Sequence, residues 1–143
     1  AAIGTRLNSS TTPVVVAKAW FMDELGMTLG GSSQGTVSTT TATVTAPSSP
    51  LAGGLTEDQS IFSVATAAGY GTPSSSGSTV ATVGGKAGVW GYAPGAQMTG
   101  TNVAAGCRVA LPFEGDVANA IAPAGWTLFD AAVSHALSSA CDA

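Results

Sequence analysis

The sequence predicts an α/β fold: a layered, flavodoxin- or Rossmann-like sheet, rich in strands and closed by one C-terminal helix. Three observations point there. Runs such as "PVVVA" and "TVSTTTATVTA" are dense in β-branched residues, which suit strands. Gly84-Gly85 lies between two apolar runs, a hairpin signal. After Pro123, residues Trp126, Phe129, Val133, Leu137 and Ala140 recur at three- and four-residue steps, the period of a helix with one apolar stripe.

The elements follow in order along a single domain, 1–143. Pro13 opens "PVVVA", a short run suited to a buried strand. "WFMDELGM" forms one helical turn stopped by Gly26, and "GGSSQG" is a turn. Residues 36–45 alternate and read as one long strand with a polar face. "PSSPLAGGL" is a loop punctuated by Pro and Gly, and "QSIFSVA" at 59–65 reads as a strand. "GYGTPSSSGS" is a loop, "TVATVGGKAGVWGYA" a hairpin, and "CRVALPF" at 107–113 a further strand. Pro123 suits the first turn of the closing helix.

The two cysteines test this layout. A strand over 107–113 runs roughly 20 Å at about 3.3 Å per residue, and a helix over 125–140 runs roughly 24 Å at about 1.5 Å per residue. A helix that folds back across its own strand therefore returns its end to the strand's start. This predicts a Cys107–Cys141 disulfide, worth roughly 3–4 kcal/mol in the chain-entropy model. Such a bond also implies an oxidising compartment, hence a secreted or cell-surface protein.

Composition narrows the function classes. Only 8% of residues are charged, against roughly 25% in typical soluble domains, so Ser, Thr, Asn, Gln and Gly must supply the polar surface. With net charge −4 and four basic residues (Arg6, Lys18, Lys86, Arg108), the chain lacks the clustered cations that nucleic acid or anionic lipid requires. No apolar run is long enough for membrane insertion as a helix. Weak self-repulsion favours association. The opening "AAIGTRLNSS" shows no signal-peptide pattern and reads as a cut inside a larger protein. Asn8 heads an "NSS" glycosylation sequon.

The catalytic inventory is thin. His135 is the only histidine, and the two distant cysteines match no zinc spacing, so the sequence predicts neither a metal site nor a cofactor. No phosphate loop, dinucleotide fingerprint or nucleophile elbow occurs. The acidic pairs Asp23-Glu24 and Glu57-Asp58 point their carboxylates apart and read as helix-start charges or turns. Glu114 and Asp116 follow the strand at 107–113, on the edge where open α/β sheets place ligands, which makes "PFEGD" the leading site candidate. Trp20, Trp90 and Tyr92 suit either a sugar-stacking face or the core.

In their order and spacing, "PVVVAKAWFMDELGMT", "PSSPLAGGL", "GVWGYAPGAQMTG", "RVALPFEGD" and "GWTLFDAAVSHAL" resemble ThuA-like (trehalose-utilisation-protein-like) domains of bacterial secreted proteins, in the glutamine-amidotransferase-like superfamily. The likeness spans about residues 1–139 and only the C-terminal part of that domain. "PLAGGL" resembles the family's His-Pro-Leu-x-x-Gly-Leu loop, with Ser49 in place of the His. Glu114 stands where relatives place a His, and His135 where a closing Trp is expected. The resemblance implies a flavodoxin-like three-layer fold and an accessory role beside polysaccharide-active or surface proteins. It also implies that the nucleophile elbow belongs to an N-terminal half with no counterpart here. A half-sheet leaves an open edge, to be covered by a missing N-terminal segment, a partner chain or a second copy.

Together these readings predict a non-catalytic secreted or cell-surface domain acting through self-assembly or partner binding, as a structural subunit. The alternative is a carbohydrate-binding accessory module using Trp20, Trp90, Tyr92 and the "PFEGD" loop on a polysaccharide. A ThuA-like sugar-active enzyme, with Glu114 and Asp116 as acid and base, is the third reading.

Overall fold

A computed structural model describes residues 6–138 and 141; the start at Ala1 and the predicted helical residue Ala140 lie outside the described residues. The fold is α/β, a layered sheet with a C-terminal helix. Its strands are β1 (Val14–Val16), β2 (Gly35–Thr39), β3 (Thr41–Val44), β4 (Glu57–Ser60), β5 (Thr66–Tyr70), β6 (Ser78–Val83), β7 (Lys86–Tyr92) and β8 (Arg108–Ala110). The helices are α1 (Ala19–Met22) and α2 (Pro123–Ala136). Six strands form one sheet in the order β1-β8-β7-β6-β3-β4, while β2 and β5 pair separately. β1 and β8 run parallel; the other paired strands are antiparallel.

Side chains alternate between two cores, as the pleat requires. On and just after β8, Val109 and Leu111 face the core under α2, whereas Ala110 faces the one under α1. On β7, Val89 joins the first core and Trp90 and Tyr92 the second. β6 breaks the rule: a bulge around Ala81 sends Val80, Ala81 and Val83 all to the first core.

The β6–β7 hairpin turns on Gly84 (φ 55°) and Gly85 (φ 77°), the paired left-handed residues that a two-residue turn of this twist demands. Pro123 opens α2, and Gly26 (φ 75°) follows the turn after α1.

Three expectations are corrected. The long strand at 36–45 is two strands in different sheets, broken at Thr40. Thr39 Oγ1 accepts the Thr41 N–H, and the Thr40 carbonyl accepts from both Ile61 and Phe62, so local bonds replace the ladder there. The strand at 59–65 is shifted to the polar "EDQS" of β4, while Ile61 and Phe62 leave the ladder to fill the core. The third correction concerns α2. Its buried face is Gly125, Leu128, Ala132 and Ala136, not the apolar stripe. A Cβ at Gly125 would meet the Ile61 carbonyl at 2.6 Å, so small residues let the helix lie close on the layer beneath. Trp126 (42%) and Leu137 (80%) stay exposed, as does Val133.

The burial pattern of α2 sets an order of stabilities. Leu128→Ala lowers the unfolding free energy by about 2–5 kcal/mol, while Leu137→Ala changes it by no more than about 0.5 kcal/mol. Urea denaturation of the two variants checks this, and the reverse order would put the stripe inside.

Candidate functional site

The largest hollow among the principal cavities is a groove of about 490 Å³ along β1. Among the described residues β1 is an edge strand, bonded on one side to β8. Val14 donates to the Cys107 carbonyl and Val16 accepts from Leu111, so the N–H and C=O of Val15 point to the open side. Phe21 and Leu25, in and just after α1, wall one side of the groove. Trp126 and Phe129 of α2 wall the other, their rings edge-to-face at 5.7 Å. The lining is almost wholly apolar.

Glu114 is the groove's acidic residue. One carboxylate oxygen accepts the Ala19 N–H at 2.8 Å, holding the first residue of α1, and the other lies 3.5 Å from Lys18 Nζ. Both oxygens thus have partners that position α1. Asp116 is exposed and does not line the groove.

The aromatic candidates divide. Trp20 is half-exposed, whereas Trp90 (0%) and Tyr92 (3%) are buried. The latter two pack edge-to-face at 5.9 Å, and the Tyr92 hydroxyl donates to the Met27 carbonyl while accepting from Ser74 N–H. Both rings are core, and neither offers a face for stacking. Asn8 of the sequon is half-buried.

Arg108, the first residue of β8, is fully buried and has no carboxylate within ion-pair reach among the described residues. Its guanidinium donates instead to the carbonyls of Leu7, Ser10, Thr12 and Cys107, pinning residues 7–12 against β8. Burial lowers its pKa from the ordinary value. The planar fork reaches four carbonyls from two separate nitrogens, whereas a lysine offers three donors from a single point.

The Cys107–Cys141 disulfide is present, with Cα atoms 5.7 Å apart. Sequence spacing shows no metal ligands, yet the fold gathers three donors: both sulfurs and one ring nitrogen of His135 lie within 4.8 Å of one another. The His135 Nδ1 atom is buried and has no hydrogen-bond partner among the described residues. Neither this cluster nor the groove was legible beforehand, because each joins segments remote in sequence. Trp126 and Phe129 were visible in the sequence only as part of the helix's apolar stripe.

No family model, curated protein or solved structure matches the chain.

Arg108→Lys keeps the charge but strands buried carbonyls, and destabilises the fold by about 2–3 kcal/mol. Chemical denaturation monitored by Trp fluorescence measures it. A loss below the scatter of surface substitutions would show that water replaces the guanidinium.

Proposed function

We propose that this chain is a non-catalytic secreted or cell-surface domain that works as a structural subunit, assembling by addition of an extended segment from a second copy along the open edge of β1. The carrying observation is that the two edges of the six-stranded sheet differ in kind. β4 bears Glu57 and Asp58 with exposed side chains, and charge on an edge discourages further pairing. β1 is Val-Val-Val, has no charged residue, and borders an apolar groove. An edge backbone beside apolar pockets is the recognition geometry of strand addition.

Two further features support the reading. The outward stripe of α2, from Trp126 through Val133 to Leu137, extends apolar surface away from the groove, and contiguous patches of this kind mark interaction sites. Low charge leaves little repulsion between copies. The disulfide supports an oxidising location, and no helix among the described residues is long and apolar enough to cross a membrane. The likeness to ThuA-like domains belongs to the same proposal: an accessory role, with the edge at β1 as the place of attachment. The engagement of both Glu114 oxygens in holding α1 favours a binding role over acid–base chemistry.

Val15→Pro tests the mode of assembly. It removes an outward N–H and leaves the β1–β8 ladder whole, a substitution edge strands tolerate. Sedimentation velocity of the wild type will show mass rising with concentration, while Val15→Pro and Trp126→Lys stay monomeric with unchanged circular dichroism. A wild type that remains monomeric at about millimolar concentration, where even weak association populates the complex, would refute the proposal.

A further inference from the structure

We infer that Cys107, His135 and Cys141 form a metal site when the disulfide is reduced, taking a zinc-class divalent ion in place of the S–S bond. Three observations carry this. The two sulfurs and the imidazole already converge within 4.8 Å. The buried Nδ1 of His135 has no hydrogen-bond partner among the described residues, an expense that a cation bound at that nitrogen removes. Beside them lies a hollow of about 220 Å³, lined in part by Tyr92, Cys107, His135 and Cys141, with room for a water as fourth ligand.

The chemistry matches the donors. Two thiolates and an imidazole are a zinc-type set, and with about 2.3 Å to each sulfur a tetrahedral ion needs the sulfurs roughly 3.7 Å apart. Cysteines with Cα atoms 5.7 Å apart reach that spacing by side-chain rotation. A dithiol reductant supplies the two electrons: it breaks the Sγ–Sγ bond, delivers two protons to the sulfurs and departs as its own cyclic disulfide. The ion then binds both sulfurs as thiolates and releases those two protons to solvent, while neutral His135 ligates through a ring nitrogen. Two thiolates balance a divalent charge, so the loaded site is neutral. The metal takes over the mechanical task of the disulfide and keeps the end of α2 beside the start of β8.

The experiment uses the full chain, reduced with a dithiol, freed of it without oxygen, and titrated with Co2+. One Co2+ binds per chain, with thiolate charge-transfer and tetrahedral ligand-field absorption that Zn2+ abolishes by displacement. The oxidised chain shows neither band. His135→Gln, whose oxidised form melts as the wild type does, binds Co2+ at least roughly tenfold more weakly, since a lost ligand costs no less than a lost supporting residue. If the reduced chain loses its circular dichroism, Zn2+ restores it, because binding free energy then becomes folding free energy. Absence of the bands, unchanged affinity in His135→Gln, or a reduced chain that Zn2+ leaves unfolded would each overturn the inference.

Discussion

The bond between Cys107 and Cys141 fixes the end of the chain to the first residue before β8, and most of the architecture hangs from that strand. β8 pairs with β1 on one side and β7 on the other. Its consecutive residues serve different tasks: Cys107 holds α2, Arg108 holds residues 7–12, and Val109 and Ala110 enter opposite cores. Glu114, four residues further on, holds α1. Tethering the helix at its C-terminal end and packing Gly125 on Ile61 near its start leaves α2 one azimuth on the sheet. That azimuth turns Leu128 inward and Trp126 outward. The disulfide closes a loop of 34 residues, so by chain entropy it removes about 4 kcal/mol of freedom from the unfolded state.

Much of the fold was legible because local signals agreed with the final packing. Gly84-Gly85, Pro123 and Gly26 act through backbone geometry, which tertiary context does not override. The cysteine pairing was legible because element lengths are set by rise per residue. What failed did so for tertiary reasons. Thr40 sits in a run of strand formers, yet Ile61 and Phe62 take its carbonyl and split the run. "EDQS" has little strand propensity and is a strand only because β3 pairs with it. The stripe on α2 is a valid apolar face, but the sheet accepts the smaller face beside it, and periodicity alone cannot choose between adjacent faces.

The candidate site follows the same division. Glu114 at a strand's C-terminal end was identifiable, whereas its role in holding the Ala19 N–H depends on β1 returning beside β8. Trp90 and Tyr92 were ambiguous because large rings serve cores and sugar faces equally well; their alternation with Val89 on a central strand assigns them to the core. His135 looked isolated since its neighbours in space are 28 residues before it and six after it.

The groove and the cysteine cluster lie at opposite ends of α2, which separates what each can control. Trp126 and Phe129, which wall the groove, belong to the helix's first half, where Gly125 and Leu128 anchor it by close packing. His135 and Cys141 belong to its last turn and beyond, where the covalent tie does the anchoring. Breaking that tie therefore loosens the end carrying Leu137 first, while β1 keeps its bonds to β8 and its apolar walls. An edge strand built from three valines needs those walls to be specific, since its backbone alone would accept any extended chain. In the strand addition proposed above, specificity rests on side-chain packing at the start of α2, while the sulfurs at the helix's other end hold it to the start of β8.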